Sequence, residues 1–158
     1  MRNKSHLTAI SRRTLPLPTR WLTEKEFLVG KILDYGCGKC HSVNNRHFKA
    51  DGYDPYHHQD PKGIIHRLNT NWYNTIICNY VLCVLERRER PFILEDIQRL
   101  LNKDGKAYVS VRNDRPKQGW GRSRKGTYQG RVQTLKLPLL YECAGFRTYL
   151  LTKDTKLV

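Results

Sequence analysis

Acidic residues are scarce in this chain: 14 Asp and Glu face 29 Lys and Arg, and the formal charge is +15. A field of that sign and size repels cationic partners and gathers polyanions, chiefly nucleic acid, although the same charge also serves solubility alone. No run of about 18 apolar residues occurs, so no helical membrane span is expected. The start, Met1-Arg2-Asn3-Lys4-Ser5-His6, is basic but lacks the apolar stretch and small-residue cleavage site of a secretory signal. A cytoplasmic location is the expectation. Cysteines number five, an odd count without framework spacing, which excludes a disulfide scaffold and implies reduced thiols. What the chain does have is 39% hydrophobic residues in 158, enough for a real core in a single domain covering 1–158.

Residues 1–20 carry Arg2, Lys4, Arg12, Arg13 and Arg20 with no acidic residue, and read as a basic arm with Pro16 and Pro18. Thr19 or Thr23 is placed to cap a short helix running to about Val29, with Gly30 ending it. A strand over Lys31–Tyr35 stops at Gly36-Cys37-Gly38. A helix is expected near Ser42–Phe48, a strand over Ala50–Asp54 and a weak one over Gly63–His66. Tyr73–Tyr80 is a continuous apolar run of the kind buried on both faces of a parallel sheet. Pro91–Leu101 puts Phe92, Ile93, Ile97, Leu100 and Leu101 on one helical stripe. Asn102–Gly105 makes a turn before a strand over Lys106–Arg112, residues 113–130 form a long loop, and Arg131–Leu137 with Phe146–Thr152 make two closing strands. Alternating strands and helices predict an α/β fold with a mostly parallel sheet.

Glycines directly after a buried strand allow a tight turn and close approach of a ligand, at the strand ends where open α/β sheets bind. Asp34, two residues before Gly36, suits a cationic amino group. Asp54, at the end of the next strand, suits the two hydroxyls of a ribose. Asn79 and Tyr80 close the long buried strand beside the same crevice. An amine, a ribose and little phosphate describe S-adenosylmethionine (SAM) better than NAD, whose Gly-x-Gly-x-x-Gly fingerprint needs glycine where His41 stands.

At these residues the chain resembles the class I SAM-dependent methyltransferases. Ile32–Gly38 (ILDYGCG) is similar to their first motif, Gly52–Tyr56 (GYDPY) to the second, Tyr73–Leu82 to the fourth, and Leu100–Arg112 to the junction after it. More narrowly, Thr8-Ala9-Ile10-Ser11-Arg12 and Gly126-Thr127-Tyr128-Gln129 resemble elements of short bacterial and phage-type methyltransferase-like proteins. The resemblance implies a Rossmann-like fold with a C-terminal antiparallel hairpin. It also implies SAM contacts from Asp34, Gly36, Cys37, Gly38, Asp54, Pro55 and Asn79. Two positions depart from the family: Cys40 replaces a third glycine, and Asn74 an aspartate.

For methyl transfer, Asn79 and Tyr80 are the candidate catalytic residues, without the prolines of the Asn-Pro-Pro-Tyr plan of amino methyltransferases. Cys78 and Cys83 lack the Pro-Cys context of a cytosine-C5 nucleophile and read as core residues. Cys37-Gly38-Lys39-Cys40-His41 matches a c-type haem pattern only by coincidence, and no fourth ligand completes a zinc site; neither metal nor haem is expected. The loop 113–131 interleaves Arg115, Lys117, Arg122, Arg124 and Lys125 with Trp120 and Tyr128, so cations grip phosphates while aromatics stack on bases. The expected activity is methyl transfer to DNA or RNA. The alternatives are a small-molecule methyltransferase, or a SAM- or nucleic-acid-binding module without catalysis and with a regulatory or anti-defence role.

Overall fold

The computed structural model describes residues 4–9, 14–39, 49–56, 70–117 and 119–157. The helix expected near 42–48 and the strand expected over 63–66 lie outside them. The described elements are helix α1 (Leu17–Glu24), strands β1 (Ile32–Tyr35), β2 (Ala50–Tyr53) and β3 (Tyr73–Asn79), helix α2 (Arg90–Leu100), and strands β4 (Leu101–Arg112), β5 (Gly121–Arg122), β6 (Tyr128–Gln129), β7 (Leu139–Glu142) and β8 (Phe146–Thr152). Six strands form one sheet in the order β2-β1-β3-β4-β8-β7. The first four run parallel, and β8 and β7 return antiparallel. This is the Rossmann-like α/β sheet with a C-terminal hairpin that the sequence predicts.

Hydrophobic pattern explains the central strands. All four residues of β1 are buried, as are Thr75, Ile76, Ile77 and Cys78 of β3, because apolar layers cover both faces. On one face Ile76 and Cys78 join Leu94, Ile97 and Leu100 of α2. On the other, Ile77 and Tyr108 pack under Leu22 of α1. Tyr35 ties β1 to α2 by donating its phenol proton to Asp96 at 2.7 Å.

Several local expectations need correction. Phe92 is 70% exposed, and the buried stripe of α2 is Leu94, Ile97 and Leu100: Phe92 sits one turn too early and a third of a turn aside to meet the sheet. Leu101 begins β4 instead of ending the helix. Tyr73 pairs with Leu101 and Thr75 with Lys106, so 102–105 bulge from the ladder where a turn was expected. Helix α1 starts after Pro16 with proline in its first turn, where the missing N–H costs nothing. Thr19 lies inside it, buried, and caps nothing. Its end is closed by Phe27 N–H donating to Leu22 C=O at 3.0 Å, with Glu26 in the left-handed region at φ 58°. Glu26 thereby takes the place expected of Gly30.

Arg131–Leu137 is not a strand; β7 begins at Leu139. Val132 and Leu137 of that segment are buried, but the Val132 and Gln133 carbonyls accept from the Arg147 guanidinium, and no ladder is needed. Within the expected 113–130 loop, β5 and β6 form a short antiparallel hairpin.

Candidate functional site

The chain runs from β1 to β2 on one side and then to β3 on the other. The carboxyl ends of β1 and β3 therefore flank a topological switch point, where neighbouring loops diverge and leave a crevice. Residues 36–38 leave β1 there, and Asn79 and Tyr80 end β3.

The glycine turn is fastened to β2. Gly36 and Cys37 N–H both donate to the Tyr53 carbonyl, at 2.7 and 3.0 Å, and Gly38 N–H donates to Asp54 Oδ2 at 3.0 Å. The other Asp54 oxygen accepts from Tyr56 N–H at 2.9 Å. Asp54 is thus oriented by two backbone N–H groups. Pro55 follows in the exposed turn. Gly36 and Gly38 are left-handed, at φ 76° and 58°, but space matters differently at the two. A Cβ on Gly36 would lie 2.2 Å from Val81 Cγ2, whereas on Gly38, among the described residues, it would meet only Ala9 Cβ, at 3.4 Å. At Gly36 the missing Cβ leaves room for Val81, which packs the 80–84 turn tightly against β1.

Asp34 is buried in the third position of β1. Its pKa is pushed up to about 7, mainly by loss of water and then by the negative Asp54. A buried carboxyl beside a half-buried carboxylate favours a bound cation and disfavours phosphate. Burial also pushes the Cys78 and Cys83 thiols upward, which keeps them protonated and poor nucleophiles. Cys37 is disulfide-bonded, its other half lying outside the described residues. The expectation of five reduced thiols is corrected for that position.

Asn79 extends its amide nitrogen to Thr19 Oγ1 of α1 at 2.7 Å, while its buried Oδ1 has no hydrogen-bond partner among the described residues. An orphaned buried acceptor is costly, by roughly 1–3 kcal/mol, and this one belongs to the last residue of β3. Tyr80 holds φ 65°, a strained conformation for a non-glycine residue, fixed by its N–H donating to the Ser110 carbonyl at 2.8 Å. Neither the Thr19 contact nor the Tyr80 strain has a local sequence signal. Asn74, the family departure, sits at the opposite end of β3, where its Oδ1 accepts from Lys31 N–H at 2.8 Å; its role is structural.

Among solved structures the chain is similar to a TehB-like SAM-dependent methyltransferase. That protein, from Corynebacterium glutamicum, shares 18% identity over 84% of this chain and 85% of its own, with a TM-score of 0.49. No protein-family model and no curated protein matches the sequence.

The basic hairpin stands against the turn that follows Tyr80. Gly130 N–H donates to the Cys83 carbonyl at 2.6 Å, and Arg122 forms an ion pair with Glu86. Residues 4–9 reach from one site toward the other: Lys4 N–H meets the Gly126 carbonyl at 3.4 Å, and Ala9 lies at Gly38. Arg115, Lys117, Trp120, Arg124 and Lys125 are exposed. No group of His, Cys, Asp and Glu suited to a metal ion occurs among the described residues. None of the described helices is long and apolar enough to cross a membrane.

Proposed function

We propose that this chain is a SAM-dependent methyltransferase whose methyl acceptor is nucleic acid. The observation that carries the reading is the pair Asp34 and Asp54 at the switch-point crevice, one buried and one held by the glycine turn. The residues fit the cofactor: Asp54, oriented by the glycine turn, is a carboxylate suited to ribose hydroxyls, Asp34 offers charge to the ammonium group, and Asn79 Oδ1 is a buried acceptor with no partner among the described residues. Bound there, SAM supplies an electrophilic methyl group, and displacement at that carbon is in-line.

Positioning then supplies much of the acceleration. Asn79, held by Thr19, orients a donor group on the acceptor or cofactor through Oδ1. Tyr80, fixed by Ser110, presents its ring at the end of β3. The +15 charge and the exposed cations beside the crevice support a polyanionic acceptor. Calorimetric titration with SAM and, separately, NAD tests the cofactor. Transfer of labelled methyl to DNA or RNA tests the acceptor. SAM binding without NAD binding, followed by nucleic-acid labelling, is the expected result; failure to bind SAM sinks the reading.

A further inference from the structure

The seven residues picked out around the hairpin do not form one uniform patch. Arg122 is paired with Glu86 and also donates to the Gly126 carbonyl at 3.3 Å. Tyr128 is half-buried against Gly130 and Arg90: a Cβ on Gly130 would lie 2.5 Å from its ring and 2.7 Å from Arg90 Nη2. Those two build the hairpin. The side chains of Arg115, Lys117, Arg124 and Lys125 are exposed and make no ion pair or hydrogen bond among the described residues.

Trp120 differs from the other tryptophans in the same way. Trp21 stacks on Tyr141 at 4.3 Å between centroids, and Trp72 carries the Lys31 ammonium 4.0 Å above its ring. Trp120 is 38% exposed and has no ring or cation partner among the described residues. It stands between Gly119 (φ 77°) and Gly121 (φ 113°), and a Cβ on either would meet nothing within 4 Å among the described residues. The result is an indole on a two-glycine swivel, with free cations before it in the chain and after it at the hairpin turn. The hairpin beneath is anchored to the 82–86 turn beside the crevice.

Free cations alone would serve any polyanion. A free indole face is useful to a base that is not already stacked between neighbours, and such stacking is worth about 1–3 kcal/mol per base. We propose that Trp120 is a stacking platform for an unpaired base of single-stranded nucleic acid, with Arg115, Lys117, Arg124 and Lys125 holding the flanking phosphates. This rests on the nucleic-acid part of the function proposed above and names the form of nucleic acid.

The test is fluorescence anisotropy of a short labelled oligonucleotide, single-stranded and as its duplex, with the full chain and no SAM. The single strand should bind more tightly. Trp120→Ala should weaken it about tenfold with the salt slope unchanged, and Trp120→Phe should recover most of the loss, which a merely destabilised protein would not do. The double variant Arg124→Gln, Lys125→Gln should flatten the salt slope by about 1.4, at 0.7 per lost phosphate contact. Equal or tighter binding of the duplex overturns the proposal, as does unchanged affinity in Trp120→Ala. A SAM titration alongside separates the two readings: no SAM binding with Trp120-dependent strand binding removes the methyltransferase and leaves the platform standing.

Discussion

The crevice and the hairpin meet at the 80–86 turn and are built on opposite terms. At the crevice, charge is taken out of water. Asp34 is buried and its pKa is raised to about 7, and Asp54 is fixed by two backbone N–H groups. At the hairpin, charge stays in water on Arg115, Lys117, Arg124 and Lys125, whose side chains make no ion pair or hydrogen bond among the described residues. A desolvated site acts at short range, is selective and is insensitive to salt. An exposed one acts at a distance and is screened within about 10 Å at ordinary ionic strength. On the function proposed above, one surface takes a small cationic ligand and the other a long anionic one.

The sharpest way to break that contrast is Asp54→Ala. It removes two acceptors from the proposed ribose contact and strands the Gly38 N–H, so SAM affinity should fall roughly 100-fold, from charge-assisted hydrogen bonds of about 1.5 kcal/mol or more each. Calorimetry checks this, and oligonucleotide binding should be untouched. Salt makes the reverse cut. Between 50 and 200 mM salt, single-strand affinity should drop about 50-fold if four cations release counterions, while SAM affinity should change little; parallel titrations decide.

The pH dependence comes next. A cation binds the ionised form of Asp34, so SAM affinity should fall about tenfold from pH 8 to pH 6 as the carboxyl with a pKa of about 7 takes up its proton. Asp34→Asn should flatten that profile. Stability runs the other way. The folded chain keeps this proton between about pH 4 and pH 7 while the unfolded chain releases it, so the contribution of Asp34 to stability is present below that window and lost as pH rises through about 7. Melting curves of the ligand-free protein should show that slope in wild type and not in Asp34→Asn. The smallest effect is expected from Arg122→Ala. A partly exposed ion pair contributes no more than about 1 kcal/mol, so the hairpin should loosen, and strand binding should weaken less than in Trp120→Ala.

Much of this architecture is legible residue by residue. The run Tyr73–Asn79 announces a doubly covered strand, because a segment with no polar alternation has no face to give to water. Ile32–Gly38 announces a buried strand ending in a turn. The errors have equally physical origins. Arg131–Leu137 alternates as a strand does, but one guanidinium, Arg147, satisfies the carbonyls that a ladder would have used. Phe92 is apolar and helical, yet its position on α2 points away from the sheet. Glu26 closes a helix in a conformation usually left to glycine, and no composition rule foresees that.

By itself the sequence determined the parallel sheet, the crevice at its glycine turn and the excess of positive charge, because each follows from short-range pattern or from a sum. Tertiary structure alone decided which partners meet. It put Val81 in the space left by Gly36, gave the Asn79 amide to Thr19 sixty residues away and left its oxygen without a partner among the described residues, set Tyr80 under strain, and sorted the basic residues into those that build the hairpin and those that pair with no described residue. Such pairings depend on where distant segments come to rest. Burial then turns them into chemistry, since a carboxylate with an ordinary pKa in water becomes one that titrates near neutrality when the surrounding strands exclude the solvent.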